Sequence, residues 1–461
     1  MKKTKVVCTI GPVSESQEML TKLIEAGMNV MRMNFSHGDE TEQTLRINNV
    51  RELNKKLGTH VGILLDTKGP EIRTGLVDPS VKVLNMEAGK EVRVTFDYSY
   101  VAKDASKIAL SYPGLFNEIN VDNKILIEDG NLALTVKSKD TKNNELVCTV
   151  DNTHGLKNKK NCNVPGVKLG MEFISEKDRT DIIFGCKQDV DFLAASFVRR
   201  AQDLVDLREL LASQGNTRIK VISKIENTEG VENMDEIIAL SDGVMVARGD
   251  LGVDVPVWEL PAIQKEMIEK CQAAGKIVIC ATQMLDSMIN NHRPTRAEAT
   301  DCHNAVLDGT GATMLSGESA QGDFPVQAVT YMSKIDEEAE FYIDYEAKLE
   351  NAIEITEEND TAAAMGLAAA KLALNYTVDA IVVEGTEELA YKVSAFRPCA
   401  NVFAAVATAA EATGLSLAWG VTAVVGKATD ALKVATKAMD LAKGDLVLKV
   451  TETSLEFITI K

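Results

Sequence analysis

In the stretch "VISKIEN", which begins at Val221, Lys224 and Glu226 stand two residues apart. In a strand both side chains would leave the same face. Neither charge helps a strand end to fold, and burying either is costly unless it has a partner. Glu226 and Asp250, which end successive apolar runs, offer hard oxygen ligands suited to Mg2+ or Mn2+. Arg32, Arg73 and Lys224 are cations of the kind that neutralise charge developing on a transferring phosphoryl group. The hydroxyls of Thr282 and Ser316 could orient a carboxylate or pass a proton through water. A structural ion pair between Lys224 and Glu226 is the alternative reading. The chain shows no Ser-His-Asp set, no thiolate with a histidine partner and no Cys/His zinc spacing, so covalent hydrolysis and zinc chemistry are not expected. Neither GxxxxGK[ST] nor a GxGxxG after a strand occurs, so a bound nucleotide would need another mode. "KNKK" at Lys157 to Lys160 is either a solvated charge run or a contact for polyphosphate.

These residues need a scaffold that gathers them. Eight short, β-branched apolar runs recur, each followed by a helical pattern: "KVVCTIG", "NVMRMNF", "VGILLDT", "DFLAASF", "KVISKIEN", "GVMVARGD", "KIVICATQ" and "ATMLSG". Strand–helix alternation of this length predicts an α/β fold, a (β/α)8 TIM barrel, with an open doubly wound sheet as the rival. In such a barrel the site lies where the strands end. Those ends hold Arg32, Asn34, Ser36 and His37; Asp66, Thr67 and Lys68; Arg199 and Arg200; Lys224 and Glu226; Arg248 and Asp250; Thr282 and Gln283; Ser316 and Glu318. The first helical spacer has Ser14 and Gln17 placed as a capping box.

The gap between the third and fourth runs is far longer than a crossover helix requires. "KEVRVTF", "KILIEDGNLALTV" and "ELVCTVDN" within it alternate with period two, and Asp129-Gly130 marks a turn. This predicts an inserted β-rich domain between Gly- and Pro-bearing hinges, a lid over the barrel mouth. After about residue 340 an acidic stretch from Glu346 to Asp360, read as an exposed linker, leads to an Ala-rich helix and a C-terminal open α/β domain. The expected layout is barrel over 1–70 and 168–340, inserted lid over 71–167, and the C-terminal domain over 341–461.

Net charge is −18 over 461 residues, which argues against nucleic-acid binding but allows an anionic small molecule in a locally positive cleft. No apolar run is long enough for a membrane span. The start "MKKTKVVCTIGP" has no signal-peptide core, and the eight cysteines show no CxxC pair, so a cytoplasmic protein with reduced thiols is expected.

"MRMNFSHG", "LLDTKGPEIRTG", "SKIENTEG", "MVARGDLG", "CATQMLDSM", "RPTRAEATD" and "MLSGESAQGDFP" occur together and in order. This set closely resembles the pyruvate kinase family, in its bacterial form, from residue 4 to about 340 and more weakly beyond. The resemblance implies transfer of the phosphoryl group of phosphoenolpyruvate to ADP. By motif, Glu226 and Asp250 match ligands of Mg2+ (or Mn2+), and Lys224 matches a lysine bridging the phosphoryl group and the enolate oxygen. Asn34, Ser36, Asp66 and Thr67 match a K+ site, and Glu71 a residue that accompanies K+ dependence. Arg32, Asn34, His37, Arg73 and Lys160 match phosphate or nucleotide contacts. Ala247, Arg248, Gly249 and Thr282 match positions that hold the substrate carboxylate region. Thr282, Ser316 and Glu318 are candidates for the proton route to pyruvate. A homotetramer is also implied. Gly311, Cys302, His303 and Asn161-Cys162 depart from the usual residues without removing a matched ligand. "VEGTEELAYKV" stands where sugar-phosphate-activated members carry a Ser/Thr/Gly-rich loop. Glu384, Glu387 and Glu388 would repel an anion there, so fructose 1,6-bisphosphate is not expected to act through the 384–390 loop. A metal-dependent lyase and a catalytically silent binding relative are the competing readings.

Overall fold

A computed structural model of the chain describes residues 1–36, 38–351 and 360–461. The eight apolar runs become the parallel strands Lys5–Thr9, Val30–Asn34, Gly62–Asp66, Phe192–Ala195, Lys220–Ile225, Gly243–Ala247, Ile277–Ala281 and Ala312–Leu315, closed in chain order into one barrel. Both faces of each strand are covered, which is why the runs read as almost continuously apolar. One row of side chains (Val6, Cys8, Met31, Met33, Ile63, Leu65, among others) packs outward on the helices. The alternate row, including Val7, Val30, Leu64, Phe192, Ile222, Met245 and Ile279, fills the interior. Followed two residues at a time, the inward row turns polar: Val7 leads to Thr9, Val30 to Arg32, Leu64 to Asp66 and Ile222 to Lys224. Period two thus carries apolar side chains at one end of the barrel and charged ones at the other.

The insertion after the third strand holds a seven-stranded sheet with a core of its own, built on Ile125, Ile127, Leu132, Leu134, Val92, Val94 and others. The expected turn lies between Lys124–Ile127 and Leu132–Asp140, where Glu128, Asp129 and Gly130 all take positive φ. The C-terminal unit is a five-stranded sheet in the order Val421–Val425, Asn401–Val406, Ala380–Glu384, Leu446–Val450, Leu455–Thr459, with the last strand antiparallel. Its Leu417 packs into the apolar end of the barrel interior and closes it.

One local expectation changes. The first helix, Gln17–Ala26, is capped by Ser16, whose hydroxyl accepts from the Met19 amide. Ser14 instead accepts from the Gly11 amide inside the preceding turn, because the chain bends there before the helix begins. Of the acidic stretch, residues 352–359 lie outside the described residues. All eight cysteines are free. Among the described residues no helix is long and apolar enough to cross a membrane.

Candidate active site

Asp66, at the tip of the third strand, is the hub of the barrel mouth. Its Oδ2 accepts from Arg32 Nε at 2.6 Å, and its Oδ1 from Lys224 Nζ at 3.0 Å and Ser196 Oγ at 3.2 Å. Arg32 reaches on to Thr9 Oγ1 at 2.8 Å. Lys224 also donates to Ser196 Oγ at 2.6 Å and stands 3.1 Å from Glu226 Oε1. The second Glu226 oxygen accepts from the Phe197 amide at 2.7 Å. Phe197 sits at φ 56, an uncommon conformation for a bulky residue, and the hydrogen bond its backbone N–H donates to Glu226 is part of what holds it there. Arg32, Asp66, Lys224 and Glu226 are all buried, so every charge in the group depends on its neighbours.

The charges are unevenly matched. Burial alone would raise the Asp66 carboxyl, but Arg32 and Lys224 outweigh it and hold the group below the ordinary carboxylate range. Burial alone would lower Lys224, but Asp66 and Glu226 hold it protonated well above its ordinary value. Glu226 is pushed up to about 7, by burial first and then by Asp250 and Asp66, against the opposing Lys224. Asp250 is also raised, by burial first, with Glu71, Asp129 and Asp66 adding to it. On that side anions outnumber cations, which is the chemistry of a site that takes a cation. Among the described residues no group of three or more His, Cys, Asp or Glu side chains forms a metal cage. Two carboxylates fit Mg2+ or Mn2+, which keep water and substrate oxygens in their remaining positions.

Asn34 and Asp66 are paired in register on adjacent strands. Asn34 Oδ1 accepts from the Ser36 amide at 2.9 Å, and Thr67 Oγ1 from the Ser196 amide at 3.0 Å. These are four oxygen-bearing side chains at two neighbouring strand ends, a donor set whose chemistry suits a monovalent cation.

Just beyond the seventh strand, Thr282 and Gln283 both take positive φ, 66 and 52. A β-branched residue in that region is strained. Thr282 Oγ1 accepts from the Gly249 amide at 2.7 Å and donates to the Ala281 carbonyl at 2.6 Å, tying the two strand ends together. Arg248 is placed differently from Ala247 and Gly249. Its guanidinium turns from the mouth, donating to the carbonyls of Thr282 and Gln283 at 2.7 and 3.1 Å and to Asp301 at 2.6 Å, and so props the strained turn. Glu318 accepts from the Ser316 amide at 2.7 Å and the Leu285 amide at 3.1 Å, and burial raises its carboxyl despite both bonds.

The two lid cations make their polar contacts within the lid. Arg73 donates to Glu71 at 2.7 Å and to the Lys159 carbonyl at 3.0 Å, while Lys160 pairs with Glu128 at 2.5 Å. His37 lies outside the described residues. Arg199 reaches the lid's return linker rather than the mouth. Ser196 and Thr9 are site residues not singled out from the sequence. Their signal was present, since each lies two residues beyond an inward-facing apolar position.

The family model described as "Pyruvate kinase, barrel domain" matches residues 1–329. A pyruvate kinase of Staphylococcus saprophyticus is 47% identical over 458 residues, covering 97% of this chain and 77% of the relative. One of Clostridium acetobutylicum is 44% identical, covering 97% of this chain and 95% of the relative. In solved structures, a pyruvate kinase from Cryptosporidium parvum superposes with a TM-score of 0.94 at 38% identity, covering all (100%) of this chain and 96% of that one. With matches this long on sequence and structure alike, the chain belongs to the pyruvate kinase family.

Proposed function

We propose that this member of the family transfers the phosphoryl group of phosphoenolpyruvate to ADP at the barrel mouth, and that the Asp66 hub does the work. The observation that carries the reading is Lys224: buried, protonated, and held between Asp66 and Glu226. A fixed cation in a low-dielectric site is worth most where negative charge develops, here on the phosphoryl oxygens and the enolate oxygen. Arg32, also anchored on Asp66, adds a second cation at the same rim. Ala247, Gly249 and Thr282 shape the wall that would hold the substrate carboxylate, with Arg248 as its support.

Glu226 and Asp250 would hold Mg2+ or Mn2+, and Asn34, Ser36, Asp66 and Thr67 would hold K+. These ions, when bound, supply further neutralisation of the crowded substrate charge. Glu318, raised by burial and bonded to the Ser316 amide, and the Thr282 hydroxyl are the proton-handling groups for the enolate carbon. Arg73 and Lys160 on the lid, with Asn34 and His37 on the barrel, would meet the nucleotide when the lid closes. Family membership supports a cytoplasmic homotetramer.

The test is pyruvate formation from phosphoenolpyruvate with ADP, Mg2+ and K+ each omitted in turn. Full activity is expected only in the complete mixture. No activity there would make the chain a silent relative.

A further inference from the structure

The linker that returns from the lid to the barrel, residues 164–175, has little hydrogen bonding of its own, so its backbone groups must be satisfied from outside. Two domains share that task. Arg199, on the barrel, donates to the Leu169 carbonyl and to the Met171 carbonyl, each at 2.8 Å. Between them, the Gly170 amide donates to Glu118 Oε1 on the lid at 3.2 Å, and Tyr112 fixes the same oxygen at 2.7 Å. A Cβ at position 170 would stand 2.9 Å from that carboxylate oxygen, so the absence of a side chain lets the Glu118 carboxylate sit this close to the linker. Three consecutive residues are therefore gripped alternately by barrel and lid, which makes them the pivot.

Neither grip is complete. Arg199 Nε and Glu118 Oε2 are buried with no hydrogen-bond partner. Arg199 is 4% exposed and Asp203 stands 3.6 Å from its Nε, beyond hydrogen-bonding reach. A cavity of about 110 Å³ lies beside this pivot, lined by Leu169, Met171, Phe197, Arg199 and Asp250, so the linker has room to shift.

Arg199 also closes a short chain of contacts to the centre. Ser196 bonds Lys224 and Asp66, the Phe197 amide bonds Glu226, and the Val198 amide bonds the Lys224 carbonyl at 3.2 Å. Four consecutive residues thus run from the buried charges to the hinge. We propose that Arg199 is a positioning residue that couples the angle of the lid to the placement of Lys224 and Glu226. The inference rests on the lid-closing mechanism above.

The test compares wild type, Arg199→Lys and Arg199→Met in the full-length enzyme, by amide hydrogen exchange and by steady-state kinetics. In Arg199→Met the Gly170 and Phe197 amides should exchange about tenfold faster, reporting both ends of the coupling. The KM for ADP should rise about tenfold, because the closed lid is less populated before substrate binds. At saturation substrate closes the lid, so kcat should change less than about threefold. Arg199→Lys, which can reach one carbonyl, should fall between. A loosened Gly170 with an unchanged Phe197 amide would overturn the coupling, as would a loss of kcat and thermal stability with KM unmoved. If Arg199→Met does not fold, Arg199→Lys and Glu118→Gln take the same readouts, and unchanged exchange in both rejects the proposal. A failed functional reading would appear separately, as wild type without activity.

Discussion

At the carboxyl ends of the barrel strands Arg32, Asp66, Lys224 and Glu226 are buried against one another, whereas near the amino ends Val7, Val30, Leu64, Ile222 and Leu417 fill the interior. The charged side chains at the closed end turn outward to the C-terminal domain instead. Lys220, which opens the strand bearing Lys224, pairs with Glu387, and Lys5 donates to the Val421 carbonyl at 2.7 Å. One end gives up packing to hold charge in a low dielectric, and the other gives up charge to pack. Catalysis and stability should therefore separate along the same strands.

Substitutions at the two ends should have separable effects. The largest effect is expected at the mouth, where Glu226→Gln should cost about 10^3-fold in kcat/KM and abolish tight Mn2+ binding. Calorimetric titration and the coupled assay would show it, and retained Mn2+ affinity would move the metal elsewhere. At the closed end Leu417→Ala should cost about 3 kcal/mol of unfolding free energy by opening a cavity, with KM and kcat nearly unchanged. Denaturant unfolding beside kinetics would reveal whether the two ends are as independent as the packing suggests.

Asp336 gives a smaller, pH-dependent contrast. It accepts from Thr313 Oγ1 at 2.9 Å, its other oxygen has no partner, and burial pushes its carboxyl up to about 7 against the opposing Lys2. Its folded value exceeds its unfolded one, so between about pH 4 and 7 the folded state holds the proton more tightly. This group's contribution therefore declines as pH rises through that window. Asp336→Asn should flatten the decline, raising melting temperature at pH 8 more than at pH 4. An equal change at both pH values would assign Asp336 no such role.

The smallest effect is expected at the turn between the strand Ala380–Glu384 and the helix Glu387–Ala395, which is where the sequence places the 384–390 loop. Glu387 is tied to Lys220, and Glu384 pairs with Lys449 at 2.7 Å, so both carboxylates are held by cations at this edge. Thr386 already caps the helix Glu387–Ala395 by accepting from the Leu389 amide. Fructose 1,6-bisphosphate should leave the kinetics unchanged, and strong activation that disappears on altering Thr386 would contradict this.

Much of this was legible from local pattern. Parallel strands buried on both faces leave apolar runs that stand out in sequence, and the insertion announced itself by a change of period from helical to two. Lys224, Glu226 and Asp66 were visible because charge at a buried strand end has few structural uses. Ser196 and Thr9 were harder to see, since a small hydroxyl after an apolar run looks like a turn residue. The direction of Arg248 was not legible, because a long side chain can serve either side of its backbone and only the carbonyls of Thr282 and Gln283 decide. The Lys220–Glu387 pair joins residues 167 apart in sequence, and no local pattern encodes such a contact.

The lysine between Asp66 and Glu226 should serve the transferring group rather than only close an ion pair. Lys224→Met tests this most directly, with Mn2+ affinity and kcat measured on the same preparation. Mn2+ binding should stay largely intact while kcat falls by about 10^3-fold. A near-normal kcat would contradict this and return Lys224 to a structural role.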